Sequence, residues 1–237
     1  VSTYVYGITR RSHPALPEKA DGIGEPPRPV RVLTHGELAA LVSDAPEDLR
    51  PKRRDLLAHQ GVLAEAGSAG TVLPLRFGGV SPDDDAVLAV LRERESHYLE
   101  RLRALDGKVE YNVKAVHDEE AVLHQVLIDN PELRALSQES RSAGGGSYEQ
   151  KLALGERVAA AVRAREAQDA VLVQEALQEA AADCRPAPDT GRLANLSFLV
   201  ERDRADEFTA TVDAFRREHG HLVVQVNGPL PPYSFVE

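Results

Sequence analysis

The sequence predicts an α+β fold, and three observations carry that prediction. Val109, Tyr111, Val113 and Ala115 alternate with Glu110, Asn112 and Lys114, the period-two pattern of a half-buried strand. Val87, Leu91, Tyr98, Leu102 and Leu105 recur at helical spacing after a strong helix start. Tyr148 to about Asp183 is an Ala-rich run long enough for an extended helix.

Taken in order, Thr3 to Ile8 alternates aromatic and aliphatic residues and reads as a strand. Arg11 to Pro29 is rich in Pro and Gly and reads as a long loop. Val30–Leu33 and Leu38–Ser43 are short apolar runs. Thr34-His35-Gly36-Glu37 between them supports a hairpin, with a short helix from Gly36 to Val42 as the competing reading. Pro46 and Pro51 break the chain. Asp55 to Ala66 reads as a helix stopped by Gly67. Thr71 to Arg76 reads as a strand, and Pro74 within it favours a sheet edge or a bulge. Ser81-Pro82-Asp83-Asp84-Asp85 starts the next helix with a cap residue, an early Pro and carboxylates at the positive end of the dipole. That helix is expected to run to Leu105, with Gly107 ending it. The first half therefore reads β-β-β-α-β-α-β. This is compatible with a ferredoxin-like sandwich whose helices pack on one face of an antiparallel sheet.

The second half opens with helical pieces, Glu119 to Ile128 and Pro131 to Ser140. Ser142 to Ser147 holds three consecutive glycines and reads as a flexible loop. In the long helix, Val173, Ala176, Leu177, Ala180, Ala181 and Cys184 lie on one stripe, so Cys184 reads as a small packed residue. Arg185-Pro186-Ala187-Pro188 is expected to stop it. Leu196, Phe198 and Val200 mark a strand. Ala205, Phe208, Val212 and Phe215 mark a helix ended at Gly220, and Leu222, Val224 and Val226 mark the last strand. The expected domains are residues 1–116, ferredoxin-like, and 117–237, a mixed α+β domain with the long helix and a docked Pro-rich tail.

Composition excludes several function classes. The formal net charge of −10 argues against nucleic acid or an anionic lipid membrane as the main partner, since both need a positive footprint. A single cysteine, Cys184, forms no intrachain disulfide and no Cys-based zinc site. No apolar run approaches the roughly 20 residues that span a bilayer, and Val1 to Thr9 lacks the basic start of a signal peptide. His117, Glu120 and His124 align on one face if all three are helical, but the pattern matches no established metalloenzyme motif, and His117 also fits the end of the preceding strand. His219 and His221 flank a turn glycine and read as surface residues. Gly144 to Gly146 lacks the lysine of a phosphate loop. No catalytic residue, cofactor-binding residue or metal ligand is expected.

The final ten residues are Gly228-Pro229-Leu230-Pro231-Pro232-Tyr233-Ser234-Phe235-Val236-Glu237. Three prolines bar helix and central strand, yet the segment is apolar, so it is expected to dock. This ending, with Tyr4-Val5-Tyr6-Gly7-Ile8, Val72-Leu73-Pro74-Leu75-Arg76-Phe77-Gly78 and Lys108-Val109-Glu110-Tyr111-Asn112-Val113-Lys114, resembles the gas vesicle protein F/L family in the right order. Leu230 stands where that family usually has Trp. The helix before the second motif carries His59, where family members also tend to have His. The resemblance implies a two-domain α+β protein of gas vesicle assembly, cytoplasmic and at the gas vesicle. It implies contact with the small amphipathic wall protein and with other accessory proteins, and no catalytic residue. Arg76 and Phe77 are candidates for the partner surface; in the competing reading Phe77 fills the core and Arg76 pairs with a carboxylate. The alternative function is a small-molecule sensor or enzyme on a ferredoxin-like scaffold.

Overall fold

The structure is a computed structural model that describes residues 1–16, 20–142, 144, 147–188 and 191–237. Pro17, Glu18 and Lys19 of the expected first loop, and Gly145 and Gly146 of the glycine loop, lie outside the described residues. The chain divides into two compact units. One is Val1–Tyr111 with Leu199–Asp203 and Gly228–Glu237; the other is Asn112–Phe198 with Arg204–Asn227. A single cut at 116/117, with the tail left in the second half, does not describe this division, because the last residues count with the first unit.

The first unit holds β1 (Thr3–Arg10), β2 (Arg31–His35), β3 (Leu38–Asp44), α1 (Arg53–Ala69), β4 (Val72–Pro74), β5 (Val80–Ser81), α2 (Asp84–Glu93) and α3 (Glu95–Ala104). Its sheet runs β2-β3-β1-β4, with β5 also paired to β1. The pairings of β1 with β3, β4 and β5, and of β2 with β3, are all antiparallel. The β2–β3 hairpin closes through Gly36 and Glu37, with His35 opposite Leu38. Gly36 takes φ +54°, which a tight hairpin turn requires and which Gly adopts without steric cost. Pro74 sits on β4 at the end of the strand order, where its missing N–H does little harm.

A register shift in β1 between Val5 and Gly7 sorts its side chains. Tyr4 and Tyr6 join Leu41, Val62, Leu63 and Ala66 on one face, while Val5 and Ile8 join Leu38, Ala40, Val42, Leu91 and Leu102 on the other. A Cβ at Gly7 would lie 2.8 Å from the Leu73 carbonyl and 2.9 Å from Leu63, so only glycine fits there. Thus α1 covers one face of the sheet and α2 with α3 the other. This corrects the expected one-face layering. The reason is legible in β3, Leu38-Ala39-Ala40-Leu41-Val42, which is apolar at every position and needs cover on both sides. The α+β class stands; the ferredoxin-like arrangement is finer than this strand order carries.

Two further boundaries differ from expectation. The first cap is Asp83 rather than Ser81, its carboxylate accepting the Ala86 N–H at 2.8 Å. The helix expected to continue to Leu105 is broken at Arg94, whose backbone leaves the helical region at φ −113°, ψ 18°. The tail packs within this unit: Tyr233 lies against the Tyr4–Tyr6 face and Phe235 is buried on the other.

The second unit holds α4 (Glu119–Asp129), α5 (Pro131–Ser142), α6 (Tyr148–Gln178) and α7 (Ala205–Glu218). It also holds most of β6 (Lys108–His117), β7 (Asp183–Pro186), β8 (Ala194–Glu201) and β9 (Leu222–Leu230), a sheet of order β7-β8-β6-β9. Ser147 and Gln150 cap α6 reciprocally. The helix stops at Gln178, short of the expected Asp183; Glu179 to Ala182 turn, and β7 begins at Asp183. Cys184 is therefore a half-buried strand residue, not part of a helical stripe. Burial and the neighbouring Asp183 push its thiol pKa up, which favours the protonated thiol. The last strand runs to Leu230 through Pro229, which the edge position of β9 tolerates. No described helix is long and apolar enough to cross a membrane.

Candidate functional site

Leaving β4, the chain turns through Leu75, Arg76, Phe77 and Gly78 before β5. Its backbone is held at both ends: Leu75 N–H donates to the Tyr6 carbonyl at 2.8 Å, and Val5 N–H donates to Gly79 at 2.9 Å. A buried polar relay holds the middle. His59 Nε2 lies 3.0 Å from the Leu75 carbonyl, and Nδ1 lies 2.8 Å from the Tyr4 hydroxyl. A carbonyl only accepts, so Nε2 carries the proton and Nδ1 accepts from Tyr4. The Tyr4 oxygen in turn accepts the Gly78 N–H at 3.3 Å.

The electrostatics agree with this tautomer. Burial lowers the pKa of His59 and keeps it neutral. Burial likewise raises Tyr4 and Tyr6, keeping both hydroxyls protonated. The Tyr6 ring stacks on His59 at 5.6 Å, and its hydroxyl accepts the Ile23 N–H and meets Ser43 Oγ, both at 2.9 Å.

This frame presents two side chains differently. Phe77 is half-buried, its ring 5.8 Å from those of Tyr4 and His59. Arg76 is exposed and, among the described residues, makes no ion pair or side-chain hydrogen bond. Beside the turn lies an apolar cavity of about 240 Å³ between the sheet and α2–α3. Leu75, Val80, Val90 and Tyr98 line it, and Val80 and Val90 remain exposed.

A second constellation lies in the other unit. His117, Asp169 and His221 bring ligand-type atoms within 4.8 Å of one another. The two Nε2 atoms each lie 2.9 Å from the same oxygen, Asp169 Oδ2. Arg165 meets both Asp169 oxygens through Nε, at 3.0 and 2.9 Å, and its Nη1 reaches Asp129 at 2.7 Å. Its Nη2 lies 3.0 Å from His221 Nε2. Burial works to raise the Asp169 pKa, but hydrogen bonds from His117 and Arg165 outweigh it and hold the carboxyl below its ordinary range. Burial lowers His221 against the pull of Asp169. The cation this carboxylate meets is the Arg165 guanidinium, so the cluster reads as a buried ion-pair network joining β6, α6 and the start of β9.

These positions revise the sequence reading. His117 ends β6 instead of opening a helix with Glu120 and His124, and neither of those joins its cluster. His221 is buried, not a surface residue. Asp169 and Arg165 are not singled out by any motif, although their i,i+4 spacing on a helix is an ion-pair signal.

Comparison with known proteins is consistent over the whole chain. The family profile described as "Gas vesicle synthesis protein GvpL/GvpF" matches residues 2–237. "Gas vesicle protein F" of Streptomyces sp. (strain CB03234) is 76% identical over 238 residues, covering 100% of both chains. "Gas vesicle protein L" of the same organism is 31% identical, covering 98% of this chain and 91% of that protein. The crystal structure of gas vesicle protein GvpF from Microcystis aeruginosa matches with TM-score 0.73 and 26% identity, covering 100% of this chain and 99% of that one. With a family profile spanning nearly every residue and a relative this similar end to end, the chain belongs to the gas vesicle protein L/F family.

Proposed function

We propose that this chain is a non-catalytic accessory protein of gas vesicle assembly, working in the cytoplasm and at the vesicle. It binds the small wall protein and other accessory proteins, and Arg76 and Phe77 form part of the wall-protein surface. One observation carries the reading. A buried relay of Tyr4 and His59 fixes the backbone of a turn whose outermost side chain, Arg76, is exposed and unpaired among the described residues. A rigid frame under an unpaired cation, beside an apolar cavity, suits a partner that is itself apolar with a polar edge. A wall subunit that turns an apolar face to gas is such a partner, and in water it needs cover.

The test is co-purification of the wall protein with this chain across a salt series, with a deletion strain alongside. Retention that weakens but persists at moderate salt is expected, because screening reduces the contribution of the exposed Arg76 and leaves the apolar contact in place. Normal vesicles in the deletion strain, with no wall protein retained at any salt, would reject the proposal.

A further inference from the structure

The helical part of the second unit carries a surface that the described residues leave partly open. Leu154, Val158 and Val162 form one i,i+4 row on α6, half-buried against the Val122, Val126 and Leu133 cluster of α4 and α5, and α4 adds Leu123, which is 42% exposed. Together they form an apolar groove. A second i,i+4 row runs beside the first along α6: Lys151, Gly155, Ala159 and Arg163. Its two ends are cations, and its middle is nearly free of side chain.

Gly155 is the informative residue. It sits inside a 31-residue helix, where glycine costs about 1 kcal/mol relative to alanine. A Cβ there would meet nothing within 4 Å. Nothing described in this chain requires the glycine, whereas a second backbone crossing close to α6 would. The charges point the same way. In a chain of net charge −10, Lys151 and Arg163 are exposed and form no ion pair among the described residues. They lie twelve residues apart, about 18 Å along the helix axis.

We infer that the α4–α6 groove docks an amphipathic helix from a partner protein, with carboxylates near both ends of its apolar stripe. The stripe covers Leu123, Leu154, Val158 and Val162, its backbone passes over Gly155 and Ala159, and its carboxylates pair with Lys151 and Arg163. This surface is separate from the Arg76–Phe77 turn and does not depend on the wall-protein reading.

The probe is a fluorescein-labelled peptide of about five turns, with leucines at i, i+3, i+4 and i+7 and flanking glutamates. Its control has the glutamates replaced by lysines. Fluorescence anisotropy with the intact purified chain should show the glutamate peptide binding at least about tenfold more tightly. Gly155→Leu fills open space in the free chain and removes a helix-interior glycine, so its melting temperature should equal or exceed the parent's while glutamate-peptide binding falls at least about tenfold. Lys151→Glu with Arg163→Glu should reverse the preference between the peptides without altering the fold. Equal binding of both peptides, or tight binding that survives Gly155→Leu, overturns the proposal. Sedimentation equilibrium covers the other occupant: self-association abolished by Gly155→Leu, with no peptide binding, assigns the groove to a second copy and also overturns it.

Discussion

The carboxylate of Glu110 accepts two hydrogen bonds from Ser234, one from its backbone N–H at 2.8 Å and one from its hydroxyl at 2.7 Å. Glu110 is buried, and a buried carboxylate without donors is strongly disfavoured. Ser234 sits between Tyr233 and Phe235, which enter opposite cores of the first unit. Arg101 adds a bond from Nη2 to the Phe235 carbonyl at 2.5 Å. The tail is therefore part of the fold. Its burial pushes the Tyr233 hydroxyl up to about 12.

Removing Pro231 to Glu237 takes both aromatic side chains out of their cores, at about 1.5–3 kcal/mol each. Thermal unfolding followed by circular dichroism should show a melting temperature lower by several degrees. Glu110→Ala should cost about 2 kcal/mol by leaving the Ser234 donors without their acceptor. An unchanged melting curve for the truncated chain, with rapid proteolysis of the tail in the intact one, would show a free ligand motif instead.

Stability should rise with pH through the weakly acidic range. His59 and His221 both have pKa values lowered by burial from the ordinary 6.5. Between the folded value and 6.5, the unfolded chain binds protons that the folded chain resists, so acid favours unfolding. Their contribution is complete above pH 6.5 and is lost as pH falls through the folded values. Asp169, also lowered, loses its contribution only in stronger acid, as pH falls below its ordinary 3.8. Urea unfolding across this range should show the slope, and His59→Phe should flatten it. A slope identical to the parent would mean that folding leaves the His59 pKa at its ordinary value.

Asp169→Asn should destabilise by about 3 kcal/mol or more, because Arg165 then loses its buried counter-charge. Combining it with Arg165→Met should recover part of that loss, since the two side chains act as a unit. Additive losses in a double-mutant cycle would show that the pair is not coupled.

Local signals on the sequence were reliable where they were also local in cause. The Leu38–Val42 run, Gly36 and the alternation of Val109 to Ala115 specify a hairpin and a strand through neighbouring residues alone. The layering on both sides of the first sheet is also written in the unbroken apolar run of β3, although the order of elements alone points to a one-face sandwich. The His117–Asp169–His221 cluster was not legible, because its members are brought together by packing across 52 residues in each direction. The end of α6 differs from the sequence expectation because Ala180, Ala181 and Ala182 favour helix strongly, and pairing of β7 with β8 overrides that local preference. Tyr4 and His59 were visible as residue types; the hydrogen bonds that make them a frame for Arg76 depend on the folded geometry.

That frame separates two substitutions sharply. Arg76 is exposed and, among the described residues, makes no ion pair or side-chain hydrogen bond, so Arg76→Ala should change stability by less than about 0.5 kcal/mol. Phe77 packs on Tyr4 and His59, so Phe77→Ala should cost more, about 1–2 kcal/mol. Under the proposed wall-protein contact, both should weaken retention of the wall protein, and Arg76→Glu should do so by about tenfold because it reverses the one charge the turn offers. Retention measured by quantitative pull-down, with melting curves run on the same preparations, distinguishes a lost contact from a loosened fold. Wild-type retention by a folded Arg76→Glu chain would remove the turn from the partner surface and direct attention to the apolar cavity lined by Leu75, Val80, Val90 and Tyr98.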